Sequence, residues 1–99
     1  NAYIPLTKIP AYSAAKAAVS NFTQWLATHF AGTGIRCNAI APGFIATDMT
    51  GNQAENPLLR MVPLGKMGTP EDVAEAAAYL ATARYVTGEV LRVDGGLAM

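Results

Sequence analysis

Between Pro10 and Phe30 the apolar positions fall at helical spacing, with Ala15, Val19, Phe22, Leu26 and Phe30 in one stripe that Ala18 and Trp25 widen. This spacing predicts a helix over 10–30, with Pro10 in its first turn and the glycines of "AGTG" at 31–34 stopping it. Residues 1–10, with Pro5 and Pro10, read as an extended lead-in. "IRCNAIA" at 35–41 has the length and apolar content of a buried strand, and "PGF" at 42–44 ends it. Residues 43–68 are rich in glycine, proline and polar groups, which predicts a long irregular segment with room for one short helix. A second helix is expected in "TPEDVAEAAAYLA" at 69–81. There Thr69 is the N-cap, Pro70 takes the first helical position, and Glu71 and Asp72 face the positive end of the dipole. Its apolar face is Val73, Ala76, Ala77 and Leu80. In "GEVLRVDGG" at 88–96 a strand over Glu89–Val93 precedes a glycine turn.

The order helix, strand, loop, helix, strand argues for two parallel strands joined by a right-handed crossover. A parallel sheet needs both faces covered, and two helices on two strands do not cover them. The expectation is therefore an α/β chain forming the end of a larger doubly wound domain. With 99 residues the chain is at most one domain, and a chain of this size buries only ~60–68% of its unfolded surface.

Composition narrows the class. The chain is 52% hydrophobic and 14% charged, which is globular rather than disordered. Seven basic and seven acidic side chains cancel, and they are scattered. Such a surface offers no field for nucleic acid or an anionic membrane, so neither is expected as a partner. Cys37 is the only cysteine, which excludes an internal disulfide and a cysteine-cluster metal site and fits a reducing, cytoplasmic compartment. No stretch reaches the ~20 apolar residues of a membrane span. "NAYIPLTKIP" lacks a signal-peptide pattern and an initiator methionine, and reads as beginning inside a longer protein. His29, the only histidine, is expected at the helix end or surface, and no metal is expected.

The chemistry concentrates in "AYSAAKAAVSNF" at 11–22, where Tyr12 and Lys16 stand four residues apart and so share a helix face. A free phenol has a pKa of about 10, and a neighbouring ammonium favours its ionised form. Bringing it near neutrality takes about 3 units, or ~4 kcal/mol of differential interaction. A phenol so tuned can protonate an alkoxide as a carbonyl is reduced, or deprotonate an alcohol as it is oxidised. Ser13, Ala14, Ala15 and Ala17 leave room for a cofactor or substrate to approach. From the spacing alone, surface neighbours with no catalytic role are the commoner reading of such a pair.

"YSAAK", followed in order by "GIRCNAIAPGFIATDM", "PLGKMGTPEDVAEAAAYLA" and "YVTGEVLRVDGG", closely resembles the short-chain dehydrogenase/reductase family over nearly the whole chain. The resemblance implies that residues 1–99 are the C-terminal segment of a single Rossmann-like domain, a doubly wound parallel sheet incomplete as a stand-alone unit. It makes Tyr12 the general acid/base and Lys16 the residue that lowers its pKa and hydrogen-bonds the nicotinamide ribose. Pro42 and Gly43 match the turn that approaches the nicotinamide, though a simple strand-ending turn explains them too. Ile45 matches the position whose backbone meets the carboxamide. Thr47 matches a hydroxyl contact to the cofactor, with a local cap as the alternative. The implied cofactor is NAD or NADP, and the substrate a small carbonyl or alcohol. The substrate lid falls on about 46–66. "LGKMGTPEDVA" and "VTG…VDGG" take structural roles, and Asn38 that of a satisfied amide.

The chain departs from the family pattern in lacking the G-x-x-x-G-x-G phosphate turn, the residue that chooses NAD or NADP, and the active-site asparagine. The family's catalytic serine would fall just upstream of Asn1. "YLATARYVTG" and the lid are also shorter than usual. "PGFIATDMT", "PLGKMGTPEDVA" and "LRVDGGLAM" resemble 3-oxoacyl-acyl-carrier-protein reductases, whereas residues 1–30 resemble mannonate (fructuronate) oxidoreductases. Family members form dimers and tetramers through the tyrosine-bearing helix, so a full-length homo-oligomer is implied. The stripe with Phe22, Trp25 and Phe30 serves either that contact or the domain core. The competing reading is an inactive piece or assembly module without the cofactor-binding half.

Overall fold

The computed structural model describes residues 8–47 and 57–98; of residues 8–12 it describes the helical backbone but not the side chains. Four regular elements follow the expected order: α1 (Lys8–Phe30), β1 (Ala39–Pro42), α2 (Pro70–Thr82) and β2 (Val90–Val93). Short 3₁₀ turns occupy Ala31–Thr33 and Pro57–Met61, the second being the short helix expected in the irregular segment. Ala39 N–H donates to Glu89 O at 2.9 Å and Gly43 N–H to Val93 O at 3.0 Å. Both bonds advance together along the two strands, so β1 and β2 form a parallel two-stranded sheet. The chain is α/β, as its order of elements implied.

Two compact units divide the chain, one of residues 1–39 and 83–90, the other of 40–82 and 91–99. In the first, α1 starts two residues before Pro10, so residues 8–10 are helical rather than part of an extended lead-in. Proline fits the first helical turn because the N–H it lacks has no intrahelical acceptor there. The helix ends as expected: Gly34 takes a left-handed conformation (φ 81°), its N–H donates to Ala31 O at 3.2 Å, and Thr33 Oγ1 donates to Phe30 O at 2.7 Å.

The apolar stripe of α1 is a correction. Thr23 and Ala27 are the buried positions, with Lys16, Ser20, Leu26 and Phe30 half-buried, whereas Ala15, Ala18, Val19, Phe22 and Trp25 are exposed. The more covered line therefore runs through 16, 20, 23, 27 and 30, one step around the helix from the stripe of large side chains. Small residues made this possible. A β-carbon on Gly88 would lie 3.5 Å from Ala27 Cβ, so the helix meets the 86–88 turn through a methyl group. Thr23 satisfies its hydroxyl by donating to Val19 O at 2.7 Å.

The strand expected over 35–41 is shorter, because side chains replace the ladder before Ala39. Asn38 Nδ2 donates to Val86 O at 3.0 Å, and its Oδ1 accepts from Glu89 N–H at 3.0 Å. Arg36 Nη1 also donates to Val86 O (3.3 Å), and Thr87 Oγ1 accepts from Cys37 N–H (3.1 Å). Gly88 N–H donates to Cys37 O at 2.7 Å. Asn38 is the satisfied amide its position suggested.

In the second unit α2 begins with a reciprocal cap. Thr69 Oγ1 accepts from Asp72 N–H at 3.1 Å, and Asp72 Oδ2 accepts from Thr69 N–H at 2.8 Å. Leu80 is buried and Val73 and Ala76 half-buried, but Ala77 is exposed and leaves the expected apolar face. Leu59 and Val62 complete the buried apolar residues of this unit. After β2, Asp94 closes a turn: its Oδ1 accepts from Gly96 N–H at 2.9 Å and its Oδ2 from Ala98 N–H at 3.2 Å. Gly95 has φ 63°, and a β-carbon there would come within 2.7 Å of Val62 Cγ1. Leu64 N–H donates to Gly95 O at 3.1 Å. The "VDGG" turn is thereby fastened to residues 62–64, which gives it the structural role expected.

Candidate functional site

Tyr12 and Lys16 both lie on α1, four residues and about one turn apart, so the helix puts them on one face. Lys16 is half-buried and heads the line that continues through Ser20 and Thr23. The Tyr12 side chain lies outside the described residues. Pro42, Gly43, Ile45 and Thr47 follow one another on a single segment of the second unit, whereas Tyr12 and Lys16 belong to the first. The central part of the lid span, 48–56, also lies outside the described residues.

The 42–47 segment is held at two points. Gly43 N–H donates to Val93 O, and a β-carbon on Gly43 would come within 2.8 Å of Asp94 Cβ and 2.9 Å of its Cα. No side chain fits there, so the glycine is required by the backbone of the strand end beside it. Two residues on, Phe44 O accepts from Gly68 N–H at 2.8 Å and Ala46 N–H donates to Gly68 O at 2.9 Å, an isolated parallel bridge centred on Ile45. Along an extended chain successive residues direct their N–H and C=O to opposite sides. Phe44 spends its C=O and Ala46 its N–H on Gly68, so across the two trans peptides the N–H and C=O of Ile45 point to the other side. Ile45 thus offers one donor and one acceptor side by side. Thr47, exposed, ends the described part of the segment.

The sequence motifs assigned Gly68 and Asp94 to helix start and strand end, with no link to this segment. Position offered the one available signal. Each stands beside a residue with a fixed task, Gly68 before the N-cap of α2 and Asp94 at the end of β2.

Among the described residues no group of three or more His, Cys, Asp or Glu side chains could hold a metal ion. His29 is exposed and stacked on Trp25, with ring centroids 5.0 Å apart and planes within 10°, and it meets Phe30 edge-on at 4.8 Å. Among the described residues no helix is long and apolar enough to cross a membrane.

Comparison with known proteins decides the family. The family model described as enoyl-(acyl carrier protein) reductase matches residues 2–98. The chain belongs to the short-chain dehydrogenase/reductase family. A 3-oxoacyl-[acyl-carrier-protein] reductase of Synechocystis is 50% identical over 91 residues, covering 89% of this chain and 37% of that protein. Among solved structures, a blue fluorescent protein from a metagenomic library, in complex with NADPH, superposes with a TM-score of 0.76 at 37% identity. It covers 89% of this chain and 37% of its own. A putative D-mannonate oxidoreductase of Haemophilus influenzae with bound NAD superposes with a TM-score of 0.73 at 44% identity, covering 89% of this chain and 36% of its own. Both branches suggested by the motifs are thus among the relatives. The chain spans 37% to 39% of the length of the curated relatives it matches. Its helices and parallel strands are those of the family's Rossmann-like fold.

Proposed function

We propose that the whole protein containing this chain is an NAD(P)-dependent oxidoreductase that exchanges a hydride with a carbonyl or alcohol of the 3-oxoacyl or sugar-acid type. The observation that carries this reading is the outward N–H and C=O of Ile45, fixed by the bridge to Gly68. A primary carboxamide presents one acceptor oxygen and one donor nitrogen, which that pair complements. Nicotinamide ends in such a group, and the relatives bound to NADPH and NAD support both forms as cofactor. When bound, the reduced nicotinamide supplies the hydride. Tyr12 gives its phenolic proton to the carbonyl oxygen in reduction and takes it back in oxidation. Lys16, one turn away, stabilises the phenolate and binds the ribose. Pro42 and Gly43 shape the turn under the nicotinamide, and Thr47 contacts the cofactor through its hydroxyl.

The test is Tyr12→Phe in the full-length protein. Removing a general acid/base costs about 10²–10⁴-fold in turnover, while cofactor binding persists. Turnover retained in that variant overturns the assignment.

A second reading, an assembly surface on α1, is supported by Val19, Phe22 and Trp25, which are 47%, 61% and 58% exposed. Phe22 and Trp25 stack with centroids 6.4 Å apart, making a ladder that continues to His29. This surface suits a homodimer or tetramer of the full-length protein, and light scattering tests it.

A further inference from the structure

Gly68 stands 23 residues after Ile45 in the chain and directly before the first capping residue of α2. Its N–H and C=O both go to the Ile45 segment, at 2.8 Å to Phe44 O and 2.9 Å from Ala46 N–H. A β-carbon on Gly68 would come within 2.9 Å of Ile45 Cδ1, with Asp72 Oδ2 at 3.5 Å and Phe44 O at 3.8 Å. The tightest contact is therefore with the tip of the Ile45 side chain, which lies over the bare glycine. The next residue, Thr69, is locked to Asp72 by two hydrogen bonds, so Gly68 is anchored to the first turn of α2.

We propose that Gly68 is a positioning residue for nicotinamide binding: it sets the direction of the Ile45 N–H and C=O by bonding the residues on either side and by admitting the Ile45 side chain over its Cα. This role rests on the reading of Ile45 as the carboxamide contact. A methyl group at 68 meets the tip of the Ile45 side chain, so Ile45 must shift to admit it. Small displacements of a positioning group cost up to about 10²-fold in rate. The effect falls on the cofactor before it falls on the carbonyl substrate.

The experiment is a double-mutant cycle in the full-length protein, with Gly68→Ala made in the native and in the Ile45→Val background. Valine lacks the Cδ1 that the new methyl group strikes. Gly68→Ala is expected to raise the KM for NAD(P)H about tenfold in the native background, with a smaller change in the substrate KM. In the Ile45→Val background the same change costs about threefold or less. Should Gly68→Ala alone fail to fold, a folded double variant supports the contact, and failure of both overturns it. Equal costs in the two backgrounds also overturn the proposal. Native turnover with a Gly68→Ala cofactor KM within about twofold of native overturns this role alone. A native protein without NAD(P)H-dependent turnover overturns the functional reading and this role with it.

Discussion

Asp94 closes so tightly on Gly43 that a β-carbon at 43 would lie 2.8 Å from Asp94 Cβ and 2.9 Å from its Cα. The neighbour cannot move aside cheaply. Asp94 is tied into its own turn through both carboxylate oxygens, which accept from Gly96 and Ala98 N–H. Gly43→Ala is therefore expected to destabilise the full-length protein by about 1–3 kcal/mol, the usual cost of overpacking. Urea unfolding monitored by circular dichroism measures it. A midpoint equal to that of the native protein would show that the two strand ends separate freely.

The reciprocal cap of α2 gives a second expectation. Thr69→Ala leaves Asp72 N–H without its side-chain acceptor, and Asp72→Ala does the same to Thr69 N–H. Each substitution is expected to cost about 0.5–2 kcal/mol. The two bonds close one ring, so the double variant should cost less than the sum of the singles. Strict additivity in unfolding free energy would mean that the two bonds act independently.

Asn38 braces the start of both strands with one amide, donating to Val86 O and accepting from Glu89 N–H. Asn38→Asp keeps the acceptor but sets a carboxylate oxygen against the Val86 carbonyl. It is expected to destabilise by about 1–2 kcal/mol, with Asn38→Ala at least as costly because both partners lose their bond. Hydrogen exchange at the Glu89 amide separates the cases. Asn38→Asp leaves that amide protected, and Asn38→Ala exposes it. Equal protection in the two variants would contradict the geometry.

What could be read in advance follows from which signals are local. Thr69-Pro70-Glu71-Asp72 announces a helix start through capping and dipole chemistry that needs no distant partner, and α2 begins where it says. Gly34 likewise closes the 3₁₀ turn that follows α1 by its own left-handed backbone. The buried line of α1 was not legible in the same way. Periodicity marks the side of Val19, Phe22 and Trp25, yet those three are exposed and the buried positions are Thr23 and Ala27. Ala27 lies against Gly88, about sixty residues further on, where a β-carbon would be 3.5 Å from its methyl group, a contact no local pattern announces. The site divides on the same line. The candidate residues Tyr12 and Lys16, and those of 42–47, are picked out by the order of family motifs along the chain rather than by spacing or turn alone. The partners that hold that segment, Gly68 and Asp94, are joined to it only through the folded backbone.

The exposed aromatic face of α1 carries the last expectation. Phe22, Trp25 and His29 form a stacked ladder at 6.4 and 5.0 Å between ring centroids, with Val19 beside it. Two of these are large apolar rings more than half exposed, and aromatic side chains of this kind dominate association energies where a partner covers them. If α1 joins copies of the full-length protein, Trp25→Glu puts a charge into a desolvated contact. It is expected to shift the assembly to smaller species in light scattering at micromolar protein. The fold itself loses little, because an exposed substitution away from caps and core changes stability by about 0.5 kcal/mol or less. Thermal unfolding of the variant under conditions where both forms are monomeric checks that second half. An unchanged mass would place the oligomer contact elsewhere and return the Phe22–Trp25 ladder to the core of the complete domain. A lower mass accompanied by a large loss of monomer stability would also favour the core, since a surface used only for assembly carries no weight in the isolated subunit.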